Sequence, residues 1–461
     1  EKFRPLLLLS CHKTPSLSPL MRRNSGVGNN ANGPRVPGSF MGPARAPPTG
    51  ASDGGPSTLG QIRKLERERE QRRNAAAEKR AGRAAEEKRN ADAGIVGDVD
   101  FMKKIKVFRD ETQGDEREHV LCDQKVSICV RKRPINSKEV RKSDHDIVTC
   151  LNPRVVVHNC KLRVDGITKF LDNQPFEFDH SFGEDDDTSA VYAYTVQPLV
   201  QFVCHGGRAT CFAYGQTGSG KTFTMVGIQE MAVRDLFAEL DARRDLDDVE
   251  IFVSFFEIYG PKCQDLLNGR ARLNVREDGK GEVHVSGLEE LCVGSAAELL
   301  EHVAKGNRLR TTQATETNDT SSRSHAICQV TLRRSTTGRL LGKLSLVDLA
   351  GSERGQDTKS HNRQLRTESA EINKSLLALK ECIRGIAAGS THVPFRASKL
   401  TMVLRDSFVR PRTKVAMIAT VSPAASNADH TINTLRYADR AKEKETQAAL
   451  GGVGGGGGAG G

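Results

Sequence analysis

The sequence predicts an α/β fold built on a largely parallel sheet with helices on both faces, and three observations carry that prediction. From Val126 onward, short β-rich runs alternate with helical stretches: VSICV, ATCFAYG, VEIFVSFFEIY, AICQVTL, KLSLVDLA and VAMIATV. Several runs are apolar enough to be buried on both faces, and alternation of strand with helix is the pattern of crossover-connected parallel strands. Two of the runs deliver phosphate- and metal-binding residue types at their carboxyl ends, where ligands of such sheets collect.

The folded unit is expected from about Gln124 to Lys442. Residues 1–57 are rich in Pro, Gly, Ser and Asn and residues 443–461 are rich in Gly, so neither segment buries enough apolar surface to offset chain ordering. They read as a disordered head and a flexible tail, with 58–123 as a basic helical neck and linker and 124–442 as one large domain. Within the neck, Gln61 to Asn90 holds 11 basic and 6 acidic residues, with too few apolar ones for a coiled-coil seam. A solvated, salt-bridge-laced helix is the ordinary outcome of that composition.

The 461 residues carry a net charge of +11, which favours an acidic polymer as partner: nucleic acid, an anionic membrane or an acidic protein filament. Eleven cysteines without a CxxC pair suit reduced thiols in a cytosolic protein better than a disulfide framework or a zinc site. The only early apolar run, Leu6 to Leu9, is shorter than a signal-peptide core and far short of a membrane span. A soluble, cytoplasmic protein is expected.

Gly215, Gln216, Thr217, Gly218, Ser219, Gly220, Lys221 and Thr222 spell the G-x4-G-K-T phosphate loop, entered from the apolar run ATCFAY. Its glycines let backbone N–H groups close around phosphates, Lys221 reaches the β and γ oxygens, and the Thr222 hydroxyl can bind Mg²⁺. Downstream, LSLVDLAGSE delivers Asp348 at a strand end, poised to hold Mg²⁺ through water, while Gly351 would let its N–H approach the γ-phosphate. A third polar segment, NDTSSRSH from Asn318 to His325, feeds the run AICQVTL.

Taken in this order, G-Q-T-G-S-G-K-T, N-x-x-S-S-R-S-H and D-L-A-G-S-E resemble the kinesin motor family. The resemblance implies a P-loop NTPase fold with a mostly parallel eight-stranded sheet, ATP as substrate and Mg²⁺ as cofactor. It implies that Ser321 lines the nucleotide, that Ser322 contacts Mg²⁺ and the attacking water, and that Arg323 and Glu353 join the two switch loops in a salt bridge when ATP is bound, Glu353 then helping to draw the proton from the water pair. Arg131, Arg133 and Pro134 match the R-x-R-P that holds the adenine. Phe223 stands where the family places a base-stacking His, and it keeps an aromatic face.

Within the family the chain resembles the kinesin-13 internal motors, which depolymerise microtubule ends. In EINKSLLALKECIR, from Glu371, the residues Ile372, Leu376, Leu379 and Ile383 form a core stripe, leaving Lys374 and Glu381 opposite and Lys380 and Arg384 on the flank. Lys380, Glu381 and Cys382 match the kinesin-13 KEC motif on the tubulin-binding helix. Arg163, Val164 and Asp165 stand where kinesin-13 has a K-V-D loop tip, with an Arg whose planar fork is not equivalent to Lys. The basic neck precedes the core, as in kinesin-13, and if helical its 30 residues span about 45 Å. Arg396, Lys399 and Arg405 look like the family's second tubulin-facing group. GKTFTM runs almost directly into GIQEMAVRDLF, a shorter connection than kinesin-13 proteins carry.

The expected function is a microtubule-stimulated ATPase that depolymerises microtubule ends, in the cytoplasm and on the cytoskeleton. The alternatives are a translocating kinesin, opposed by the KEC residues and a missing C-terminal neck, and a non-catalytic microtubule tether, opposed by the retention of Lys221, Ser322, Arg323 and Glu353. A nucleic-acid partner is disfavoured, since helicase motifs and base-stacking aromatics are not evident and Trp is absent. The oligomeric state is left open, with homodimerisation through segments outside the core as one arrangement.

Overall fold

The computed structural model describes residues 58–92, 97–166, 168–243, 246, 248–279, 281–311, 320–353 and 363–451. The head, residues 1–57, lies outside them, as do Asn318 and residues 452–461 of the tail. Two compact units divide between Arg73 and Asn74, inside helix α1 (Thr58–Asp92). The part of α1 in the first unit is almost wholly exposed, with Glu68 and Arg72 paired one turn apart at 3.6 Å. Charge at every turn and no apolar stripe leave its side chains in water.

The second unit contains strands β1 (Val126–Lys132), β2 (Val148–Leu151), β3 (Arg154–Leu162), β4 (Lys169–Glu177), β5 (His180–Phe182), β6 (Arg208–Tyr214) and β7 (Val249–Tyr259). They continue as β8 (Lys262–Asp265), β9 (Arg272–Glu277), β10 (Val283–Ser286), β11 (Leu291–Val293), β12 (His325–Arg334), β13 (Leu340–Asp348) and β14 (Thr413–Val421). Its helices after α1 are α2 (Val99–Glu111), α3 (Ser137–Arg141), α4 (Thr188–Thr195), α5 (Gln197–Cys204), α6 (Lys221–Asp241), α7 (Ala296–Thr311), α8 (Arg363–Ala387), α9 (Lys399–Val409) and α10 (Ala428–Gly451).

The main sheet runs β10-β9-β8-β7-β12-β13-β6-β14-β1-β5, with β11 paired to β7 as an eleventh strand. The expectation of a mostly parallel, eight-stranded sheet is corrected on both counts. Pairing is parallel from β13 through β6, β14 and β1 to β5, and antiparallel from β13 back through β12, β7 and β8 to β10. The physical reason lies in the connections. β12 and β13 are joined by a tight turn through Thr337 and Gly338, and β7 and β8 by a turn through Gly260, so no crossover helix is available to make those pairs parallel. A separate sheet, β2-β3-β4, forms a long hairpin whose tip holds Arg163 to Gly166.

Helices cover both faces of the sheet. One core joins the sheet to α8, α9 and α10 through Leu379, Leu404 and Leu435, and the other joins it to α5, α6 and α7 through Val200, Ile228 and Leu299. Local chemistry sets the helix ends. Asp98 caps α2 by accepting from Asp100 N at 3.1 Å and Phe101 N at 3.3 Å, and Ser398 and Thr401 form a reciprocal box at the start of α9. The segment after the phosphate loop is one unbroken helix, α6, in which Gly227 passes too close to Thr188 of α4 for a Cβ to fit without adjustment. α10 continues through Gly451, past the boundary at 442 where the sequence suggests a flexible tail. No helix among the described residues is long and apolar enough to cross a membrane.

The stripe Ile372, Leu376, Leu379 and Ile383 is buried as the helical spacing requires. Replacing Leu379, which is fully buried, by Ala is expected to cost about 2–5 kcal/mol of stability, measurable as a lower urea midpoint. A change within about 0.5 kcal/mol would mean that α8 is not seated on this core.

Candidate functional site

Three parallel strands end together at one edge of the sheet. Register places Asp348 of β13 beside Ala213 of β6, and Ala419 of β14 beside Tyr214. Tyr214 opens into the phosphate loop, which closes on the first turn of α6 through Gly220, a residue in the left-handed region at φ +103°. The loop is braced from both sides: Ser219 Oγ lies 2.7 Å from Thr420 Oγ1, and Arg133 Nε donates to Gly218 O at 2.7 Å. The α6 N-terminus and the loop amides offer backbone donors to an anion. Lys221 is buried and donates to Gly215 O at 3.0 Å and Gln216 O at 2.9 Å.

Asp348 is the most constrained carboxylate of the site. Its Oδ2 accepts from Thr222 Oγ1 at 2.6 Å and from the Arg310 guanidinium, while its Oδ1 is buried with no partner among the described residues. An unsatisfied buried carboxylate oxygen beside a Thr hydroxyl is a hard-oxygen donor set that suits Mg²⁺. Arg310 is a participant the sequence did not reveal. It lies on α7 and also holds the hydroxyl-rich loop through Ser324 Oγ at 3.3 Å and Ser324 O at 2.9 Å. A signal existed: Arg310 continues the buried stripe Leu299, Val303, Gly306 at helical spacing, where an Arg needs a buried anion.

The antiparallel register brings the start of β12 to the end of β13, with Ala326 opposite Asp348. His325 therefore sits between the two switch segments. Its Nδ1 accepts from Ala350 N at 3.1 Å, and its Nε2 pairs with Ser375 Oγ of α8 at 2.7 Å. Ser375 Oγ donates onward to Ile372 O at 2.7 Å, so the imidazole is a neutral acceptor at Nδ1 and donor at Nε2. Burial, with the nearby Arg310 charge, pushes its pKa down to about 3.

Gly351 N donates to Ser322 O at 2.7 Å, and a Cβ on Gly351 would overlap Thr217 Oγ1 and Glu353 Oε2. Glu353 Oε2 accepts from Thr217 N at 2.9 Å, and its Oε1 accepts from Thr217 Oγ1. Here Glu353 is closed onto the phosphate loop and the Gly351 N–H onto Ser322; the Arg323–Glu353 bridge and the approach of the Gly351 N–H to a γ-phosphate are expectations for the ATP-bound state. In both cases the nearer partner satisfies a group that would otherwise lose a hydrogen bond. Arg323 faces a cavity of about 260 Å³ that Lys374, Ser375, Arg396 and Lys399 also line. Ser321 lies outside the residues whose side chains are described.

Where the sequence resemblance expects the base, Arg131 Nη1 donates to Thr224 Oγ1 at 3.0 Å and its guanidinium lies 5.6 Å from the Phe223 ring centre. Phe223 is 72% exposed, an open aromatic face over a cation. Arg133 binds Glu139 with both Nη atoms, and Pro134 O accepts from Arg133 Nη1 at 2.8 Å.

The expected tubulin contacts divide. Arg163, Val164 and Asp165 are exposed at the hairpin tip, where Asp165 Oδ1 accepts from Thr168 N at 2.8 Å. Lys374 and Arg384 are exposed on α8, with Arg384 paired to Glu381. Lys380 is half-buried, its ammonium 6.0 Å from the Tyr437 ring of α10. Cys382 must be removed from the contact group: it faces the core, where burial raises its thiol pKa to about 12. It lies three residues beyond Leu379 on the same stripe, so helical geometry turns it inward. The outward line instead runs Lys374, Leu377, Glu381, Arg384, and Leu377 is 56% exposed in its middle. Arg396 and Arg405 share Glu277, at 2.6 and 3.0 Å, while Lys399 Nζ donates to Pro261 O at 2.5 Å.

Folding keeps His325 neutral, which carries a testable consequence. The unfolded imidazole titrates near its ordinary value of about 6.5 and the folded one only near 3, so the native state excludes a proton between those values. Stability is full above about pH 6.5 and is expected to fall by about 1.4 kcal/mol per pH unit below it through this residue. Urea midpoints from pH 7 to 4 should show a shallower loss in His325→Gln. Parallel slopes would contradict the burial.

The family model of the kinesin motor domain matches residues 131–444. The chain is 51% identical over 407 residues to diatom spindle kinesin-1 of Cylindrotheca fusiformis, a match covering 87% of this chain and 64% of that relative. Among solved structures, a fast kinesin studied for its ATPase mechanism and interactions with microtubules is 32% identical with a TM-score of 0.60, over 69% of this chain and 91% of the other. A KIF14 dimer with AMP-PNP, both heads bound on a microtubule, is 33% identical with a TM-score of 0.59, over 70% and 94%. The chain belongs to the kinesin motor domain family, a family of ATP-hydrolysing motors.

Proposed function

We propose that this chain hydrolyses Mg²⁺-ATP and couples the turnover to mechanical work on microtubules. The observation that carries the reading is the unpartnered Oδ1 of Asp348 beside Thr222, at the mouth of a phosphate loop. Lys221 serves the β and γ oxygens, Thr222 and Asp348 hold Mg²⁺, and Ser322 and Glu353 orient water. Bound Mg²⁺ neutralises charge on the phosphates. The base stacks on the open face of Phe223, whose other face lies over the Arg131 guanidinium.

Two modes of work are open to such an ATPase. The comparisons favour translocation along the lattice: one relative is described as a fast kinesin and another as a two-headed dimer on a microtubule. The name of the diatom relative supports a spindle setting. The second mode, removal of tubulin from microtubule ends in the kinesin-13 manner, is supported by a feature of this chain. Val164 is fully exposed at the tip of the β3–β4 hairpin, an apolar side chain presented where a partner could cover it.

Stabilised microtubules mixed with the protein and ATP separate the modes: gliding at constant length supports translocation, and shortening from the ends supports depolymerisation. Phosphate release should rise when microtubules are added. Glu353→Ala is expected to lower that stimulated rate on the order of 10²- to 10³-fold, and an unchanged rate would remove Glu353 from the reaction.

A further inference from the structure

Helix α2 precedes residues 131–444 that match the motor family, yet it reaches the strand carrying the base-side arginines. Arg109, in the last turn of α2, donates from Nη2 to Asp146 Oδ2 at 2.9 Å and to Val148 O at 3.0 Å, and from Nε to Thr149 Oγ1 at 2.9 Å. Lys132 of β1 uses the same two acceptors, with Nζ 2.6 Å from Asp146 Oδ2 and 3.1 Å from Val148 O, and adds Glu184 at 2.8 Å. The carboxylate is itself fixed, because its Oδ1 accepts from Val148 N at 2.9 Å. The Lys132 side chain is only 6% exposed, so these contacts act with little screening by water.

Lys132 stands between Arg131 and Arg133. Successive side chains of a strand point to opposite faces, so pinning Lys132 on one face fixes the backbone from which both arginines project on the other. Those arginines set the pocket: Arg131 holds Thr224 and underlies Phe223, and Arg133 braces the phosphate loop at Gly218 O. Two cations and two carboxylates balance at the junction. Without Arg109 the carboxylates outnumber the cations, and Asp146 loses the partner that holds it from the α2 side.

We propose that Arg109, acting through Asp146 and Lys132, is a positioning residue for nucleotide binding, so that docking of α2 on the core tightens the grip on ADP and ATP. Arg109 touches neither the phosphate loop nor the base-side residues directly; its effect is transmitted by the shared acceptors. Coupling of this kind is reciprocal: nucleotide must hold α2 on the core by the same factor by which α2 holds nucleotide. The proposal rests on the assignment of Arg131 and Arg133 to the base side.

The test uses the full 461-residue chain, a fluorescent ADP analogue with Mg²⁺, and hydrogen exchange across residues 99–111. Arg109→Met should weaken ADP binding about 5-fold or more while leaving kcat at saturating ATP within about twofold. In the parent chain Mg²⁺-ADP should slow exchange of the α2 amides, and that slowing should vanish in Arg109→Met. Arg109→Lys, which keeps the charge without the fork, should bind ADP more tightly than the Met variant. ADP affinity in Arg109→Met within about twofold of the parent, or α2 exchange indifferent to nucleotide in the parent, would overturn the proposal. Arg131→Ala separates the two levels: unchanged ADP affinity in that variant would overturn the base-side assignment itself.

Discussion

The register of β12 against β13 is the constraint on which the rest of the site depends. Because Ala326 lies opposite Asp348, the segment that enters β12 and the segment that leaves β13 are brought to one point, although the two strands run in opposite directions. Parallel pairing would carry the start of β12 to the far end of the sheet. The Gly351 to Ser322 bond and the seat of His325 would then be lost, and with them the Arg310 contact to Ser324. Burying a charge pair such as Arg310 and Asp348 is costly unless hydrogen bonds support it, and here Ser324 and Thr222 do so while Oδ1 of Asp348 is left open among the described residues.

From that point the chemistry is tied to α8 through a neutral imidazole. His325 holds Ala350 of one switch segment and Ser375 of the helix at once, so a displacement of either is felt by the other. A charged imidazole could not accept from Ala350 N, which is why the low pKa is part of the linkage and not incidental to it. On its other side α8 is seated by Leu376, Leu379 and Ile383, and its half-exposed margin leans on Tyr437 through Lys380. The helix is thus joined at one side to the segments after β13 and before β12, and exposes Lys374, Leu377 and Arg384 at the other.

Much of this was legible in the sequence, and the parts that were not share a cause. The phosphate loop, Asp348 and the core stripe of α8 are local patterns, each set by residues within a few positions; the structure places the loop between β6 and α6, Asp348 at the end of β13 and the stripe in the core. Arg310, by contrast, reaches Asp348 across 38 positions, and Glu353 reaches Thr217 across 136. Such pairings follow from strand order, which alternating apolar runs leave undetermined. The direction of the pairing is illegible for the same reason: periodicity identifies a strand but says nothing about the direction of its neighbour. Cys382 is different, since its inward orientation follows from the same spacing that places Leu379.

The surface cations show how intramolecular pairing and partner binding can use one set of groups. Glu277 is held below the usual carboxylate range chiefly by Arg396, with Arg405 contributing, and it stays ionised between them. Both arginines are thereby held on one carboxylate instead of swinging freely, which removes part of the ordering cost that a partner's carboxylate would otherwise have to offset. The exchange is near balanced, since an exposed pair gains little from attraction that water and salt largely screen. An acidic partner competing for these arginines has to match Glu277 in geometry. The pairing with Glu277 therefore orients these arginines without adding much stability of its own.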